Sequence, residues 1–174
     1  MSEPRRTRRG IIAVSVIAMI VAVFAAWWFS PGQQRKRQTD ALIEAAATCD
    51  TKAVETALAG GVDVNARDAN GITPLMHAAR GKGPKIADPA PTDHPEVIEL
   101  LVKHGAEVDA KTDSGFVALF WAARYGHDKV AKALIELGAD VNAKDKDGMT
   151  AMRWATTNQQ TKVVELLKAA GVKE

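Results

Sequence analysis

Beyond about residue 39, apolar residues recur three and four apart in short stretches, and glycine-bearing polar segments interrupt them at regular intervals. Leu75 to Arg80 and Glu96 to His104 form one pair of such stretches, and Leu119 to Tyr125 and Asp128 to Leu137 form the next. The pattern predicts pairs of short amphipathic helices joined by turns. Thr73-Pro74 predicts an N-cap followed by proline in the first helical turn. Gly105 and Gly138 sit where a left-handed C-cap is expected. Ala78-Ala79 and Ala122-Ala123 leave room for two helices to pack closely, and Asp68-Ala69-Asn70-Gly71 has the chemistry of a turn.

The amino-terminal part follows a different pattern. Gly10 to Phe29 is uncharged and contains one serine, Ser15. As a helix its 20 residues would span about 30 Å, the thickness of a bilayer's hydrocarbon core. Trp27, Trp28 and Phe29 close the run at headgroup level, and Pro31-Gly32 is expected to stop the helix. This gives a basic segment over 1–9, one transmembrane helix or signal anchor over 10–29, a polar linker over 30–38 and a folded domain over 39–174. Residues 1–38 carry seven basic residues against Glu3 alone, a net +6; the remaining 16 basic and 20 acidic residues give −4. The four arginines before the run outnumber the three basic residues after it, so an N-in orientation is expected. The chain would then be a single-pass protein of the inner (cell) membrane, with its domain on the periplasmic or extracytoplasmic side. A rival reading is export with signal cleavage after Val23-Phe24-Ala25; Thr7-Arg8-Arg9-Gly10-Ile11-Ile12 resembles a twin-arginine signal. The acidic domain argues against nucleic acid, which needs a basic footprint.

Self-comparison exposes a repeat. Gly61-Val62-Asp63-Val64-Asn65-Ala66 recurs as Gly105-Ala106-Glu107-Val108-Asp109-Ala110, as Gly138-Ala139-Asp140-Val141-Asn142-Ala143, and in truncated form as Gly171-Val172. The glycines are spaced 44, 33 and 33, while Leu42, Leu75, Leu119 and Met152 are spaced 33, 44 and 33. The unit is therefore 33 residues, and one copy carries 11 more. Four units follow: about 39–66, 67–110 with the 11-residue insert within 81–95, 111–143 and 144–174. Unit one would begin at Asp40 as a polar cap. The insert, Gly83 to Pro95, holds four of the chain's seven prolines and is a second candidate contact region, or simply a tolerated insertion.

Gly71-Ile72-Thr73-Pro74-Leu75-Met76-His77-Ala78-Ala79 and Gly126-His127-Asp128-Lys129-Val130 resemble the ankyrin repeat, with Met76 where histidine is usual. Val117-Ala118 and Thr150-Ala151 depart from the threonine-proline of that pattern. The resemblance implies an all-α solenoid of about four helix-turn-helix units with short β-turn or hairpin tips. It also implies a monomeric, non-catalytic domain that binds protein through its tips and the concave face of its first helices. The corresponding positions are Arg67, Asn70, Ile72 and Arg80 in unit two, and Lys111, Ser114, Phe116, Trp121, Arg124 and Tyr125 in unit three. Unit four offers Lys144, Lys146, Met149, Trp154 and Thr157. Neither helix periodicity nor the unit's core calls for apolar groups at Phe116, Tyr125 or Met149. They are expected to be exposed anchors whose loss would hardly change stability. Trp121 and Trp154, 33 residues apart, could stack between units or anchor a partner.

No paired-histidine zinc spacing, phosphate loop or nucleophile elbow occurs, so the sequence proposes no enzyme, metal or cofactor site. Cys49 is the only cysteine, which excludes an intrachain disulfide; its bland role is a small packing residue. The function expected is a membrane-tethered scaffold, inhibitor or assembly factor. The alternative is an accessory factor that delivers or protects a cofactor for an exported stress-defence enzyme.

Overall fold

A computed structural model describes residues 30–81 and 93–172. Its helices are α1 (Pro31–Ala47), α2 (Thr51–Ala59), α3 (Pro74–Arg80), α4 (Pro95–Lys103), α5 (Ala118–Tyr125), α6 (Asp128–Glu136), α7 (Ala151–Thr157) and α8 (Thr161–Ala169). The chain divides into Met1–Arg37 and Gln38–Glu174. No described helix is long and apolar enough to cross a membrane. The apolar run 10–29 lies outside the described residues.

Within Gln38–Glu174 the helices form two rows. The first helices of successive units pack on one another, α3 on α5 and α5 on α7. The second helices do the same, α2 on α4, α4 on α6 and α6 on α8, and each α3–α4, α5–α6 and α7–α8 pair packs within its unit. One register of apolar side chains fills the space between rows. Val97, Val130 and Val163 occupy the same place in successive second helices, as do Leu101, Leu134 and Leu167, and all six are wholly buried. Leu42, Leu75 and Leu119 are buried at the matching point of the first helices, while Met152, in the last unit, is only partly covered. The alanine pairs lie at 0–1% exposure, which is what lets the first helices approach.

The local signals act as the sequence suggests. Thr73 accepts a hydrogen bond from the Met76 amide and Pro74 occupies the first turn of α3. Gly105 and Gly138 adopt φ of +91° and +92° just past α4 and α6. The turn between the two helices of a unit needs the same left-handed backbone, supplied by Gly126 in unit three but by Cys49 and Gln159 at φ +56° and +58° in units one and four. Burial, and then the Glu96 carboxylate, push the Cys49 thiol up.

One boundary differs from the sequence reading. The 30–38 segment, expected as a linker, is helical from Pro31 and runs without a break into the first helix of the unit expected to begin at Asp40, while the chain divides between Arg37 and Gln38. Ser30 Oγ accepts from the Gln33 amide at 3.4 Å, so Pro31 occupies a first-turn position and starts α1; the run it was expected to stop lies outside the described residues.

Candidate interaction surface

The tips of units two, three and four are turns closed on themselves. In unit two Asp68 N–H donates to the Ile72 carbonyl, while Asp68 Oδ1 accepts from the Asn70 and Ile72 amides. Asp145 repeats this arrangement with the Asp147 and Met149 amides. Thr112, in the same place in unit three, accepts from the Phe116 amide through Oγ1 and pairs with Ser114 Oγ. Neighbouring tips are tied together. Arg67 Nη1 donates to the Gly71 and Lys111 carbonyls at 3.0 and 2.7 Å, and the Lys146 amide donates to the Ser114 carbonyl at 3.1 Å. A second line of ties runs below the tips: Asn65 bonds the Gly105 carbonyl and the Glu107 amide, and Asp109 accepts from the Asp140 amide.

The turn aspartates also orient the ring that follows nine residues later. His77 Nε2 lies 2.9 Å from Asp68 Oδ2, and Trp154 Nε1 donates to Asp145 Oδ2 at 3.3 Å. In unit three the acceptor is threonine, whose hydroxyl is committed within the turn. Trp121 Nε1 is accordingly buried with no hydrogen-bond partner among the described residues. An unmade bond to a buried N–H costs about 1–3 kcal/mol. Thr112→Asp should therefore stabilise the domain, by about 0.5–1.5 kcal/mol after the cost of placing a carboxylate there. Chemical denaturation should show the gain in the native background and none in Trp121→Phe, which has no N–H to satisfy; an equal gain in both would rule out this explanation.

Asp68 titrates differently from an ordinary carboxylate. Burial pulls its pKa up, but the Ile72 amide, the His77 ring and the Asn70 amide together outweigh burial and leave it lowered. A lowered folded-state pKa contributes stability that is complete above the ordinary carboxylate range, about 4, and is lost as pH falls through the folded value. The difference in thermal midpoint between the native chain and Asp68→Asn should thus narrow below about pH 4. A gap that stays constant down to pH 2 would show that the carboxylate's charge is not what counts.

The rings and guanidinium groups of the first helices form a continuous partly exposed band. Phe116 sits between the two indoles, with its centroid 5.1 Å from that of Trp121 and 5.2 Å from that of Trp154, and it meets the buried Phe120 edge-on at 5.8 Å. Tyr125 lies parallel to Trp121 at 6.2 Å. The Arg80 guanidinium covers Trp121 at 5.1 Å, and one unit on, the Arg124 guanidinium covers Trp154 at 5.2 Å. The same arginine-on-tryptophan stack thus joins unit two to three and three to four. The tryptophans do contact adjacent units, through Phe116 and the arginines.

The fifteen expected surface residues separate by environment. Arg67, Asn70, Lys111, Ser114, Lys144, Lys146 and Thr157 are exposed. Arg80, Trp121, Arg124 and Trp154 are half-buried in the band. Ile72 is 8% exposed and belongs to the core, so its side chain has no surface to offer. Phe116, Tyr125 and Met149 are half-buried as well. The expectation that no packing requires an apolar group at Phe116 is incorrect: one of its neighbours, Trp154, belongs to the adjoining unit, which a single unit's periodicity does not reveal. Asp93, at the end of the insert, accepts from the Lys129 and Val130 amides at 3.1 and 2.8 Å and so caps α6 of the next unit. The remainder of the insert lies outside the described residues.

A family model described as ankyrin repeats (three copies) matches residues 42–145 and, overlapping, 87–173. The two matches cover most of the chain, which belongs to the ankyrin-repeat family. Ankyrin-repeat proteins are generally non-catalytic scaffolds for protein–protein interaction.

Proposed function

We propose that the chain holds a protein partner at a membrane surface, as a scaffold, inhibitor or assembly factor, and engages it through the tip and first-helix face. The band of Arg80, Trp121, Tyr125, Arg124 and Trp154 carries this reading: tryptophan, tyrosine and arginine are the side chains enriched at binding hot spots, and here they are partly exposed side by side. The exposed tip residues form a polar rim around them, as in protein interfaces generally. Tethering rests on the uncharged run Gly10–Phe29, and an extracytoplasmic domain rests on the arginine bias ahead of it. Tagged full-length chain, extracted with detergent from carbonate-washed membranes, should bring down one dominant protein in near-stoichiometric amount. A chain released by the carbonate wash would remove the tether, and a chain recovered alone from cells in which it is active would remove the scaffold.

A further inference from the structure

We infer that the two arginine–tryptophan stacks form a paired receptor for an extended, carboxylate-bearing segment of the protein partner, with acidic residues three apart; this rests on the scaffold reading above. The Arg80 guanidinium lies 5.1 Å from the Trp121 centroid and that of Arg124 lies 5.2 Å from the Trp154 centroid, and a guanidinium that stacks by its flat face keeps its N–H edges for other partners. Those edges match a carboxylate in a two-point fork. Among the described residues neither Arg80 nor Arg124 has a carboxylate within ion-pair distance. The turn carboxylates Asp68 and Asp145 are spent on turn amides and on the His77 and Trp154 rings. Arg67, by contrast, spends Nη1 on two carbonyls and is a structural tie.

Charge and spacing point to the same ligand. Residues 39–174 are net acidic, but the tips set Arg67, Lys111, Lys144 and Lys146 against Asp68, Asp113, Asp145 and Asp147, so the positive charge left over on this face is that of Arg80 and Arg124. Such a face favours an oppositely charged partner. Arg80 and Arg124 are equivalent residues on α3 and α5, which pack directly together, and packed helices lie about 8–10 Å apart. A polyproline-type strand rises about 3.1 Å per residue with three residues per turn, so residues i and i+3 project from one side about 9 Å apart. Two acidic side chains at that interval reach both guanidinium groups, while the residues between them rest on Trp121 and Tyr125.

The test is fluorescence anisotropy of a dye-labelled dodecapeptide centred on Glu-Pro-Pro-Glu, titrated with full-length chain in detergent micelles. It should bind at least tenfold more tightly than the Gln-Pro-Pro-Gln peptide and weaken as salt rises. Arg80→Gln and Arg124→Gln should each raise Kd by about tenfold. Arg80→Lys and Arg124→Lys, which keep the charge, should restore little of the loss because an ammonium lacks the fork. Circular dichroism on the same samples verifies folding, and the lysine variants carry the test where a glutamine variant fails to fold. Equal binding of the two peptides, no binding at millimolar chain, full activity in the lysine variants, or stronger arginine-dependent binding of a single-stranded oligonucleotide would each overturn the inference. The detergent pull-down separates the two claims. If native chain and an Arg80→Gln/Arg124→Gln chain capture the same partner equally, the receptor is wrong and the scaffold stands; if native chain captures none, the scaffold itself fails.

Discussion

Phe116→Ala should destabilise the repeat domain by about 2–3 kcal/mol, read as a fall in urea midpoint at unchanged slope. The ring is only half-buried, which places it below the roughly 3–5 kcal/mol of a fully enclosed phenylalanine. Its neighbours raise the cost above that of a surface change. It contacts Phe120 and Trp121 within its own unit and Trp154 in the next, and each aromatic pair adds about 0.5–1.5 kcal/mol beyond burial. Phe120→Ala, at a position with no exposure, is the upper reference and should cost about 3–5 kcal/mol. A Phe116→Ala shift within about 0.5 kcal/mol, the range of ordinary surface substitutions, would mean that the ring is a free anchor and that unit three does not lean on unit four through it.

The turn glycines offer a comparison in which backbone strain and steric conflict come apart. Gly71, Gly115 and Gly148 occupy the same turn position at φ of +73°, +81° and +74°. A side chain in left-handed backbone costs about 1–2 kcal/mol wherever it is placed. At Gly148 an added Cβ meets nothing within 4 Å, and at Gly71 only atoms at 3.9 Å or more, so alanine there should cost little beyond that strain. At Gly115 the Cβ would lie 3.1 Å from Asp145 Cα and 3.2 Å from the Lys146 amide nitrogen, backbone atoms of the next tip that cannot swing aside. Overpacking of this kind adds about 1–3 kcal/mol, so Gly115→Ala should cost about 2–5 kcal/mol in total. The three variants, unfolded under one set of conditions, should rank with Gly115→Ala clearly worst. Similar costs at all three positions would show that the tips of units three and four can part without penalty.

What the sequence disclosed and what it hid differ by the range of the interaction. The repeat period, the helix pairs, the Thr73-Pro74 start and the glycine caps depend on residues within a turn or two of each other, and they appear within about a residue of where spacing puts them. Pro31 reads as a stop for the apolar run before it, which lies outside the described residues; the Ser30 hydroxyl and the Gln33 amide mark it as the first turn of α1. Phe116 reads as exposed because half of what covers it belongs to the following unit. Asp93 reads as a loop residue because the amides it caps lie 36 and 37 residues away. The missing partner of Trp121 could have been seen in advance by aligning the units in register, since threonine at 112 replaces the aspartate of 68 and 145.

The ties described between units all join immediate neighbours: tip to tip, Asn65 and Asp109 to the loop that follows, and each arginine to the next tryptophan. Such a stack behaves as a linear array with nearest-neighbour coupling, in which a local loss is felt at two interfaces and fades beyond them. An occupant lying across Arg80 and Arg124 touches units two and three directly and reaches unit four through Trp154. It would therefore act as a splint across the junction of units two and three, which the Arg124–Trp154 stack carries on to unit four, so that three units melt together where they would otherwise fray one at a time.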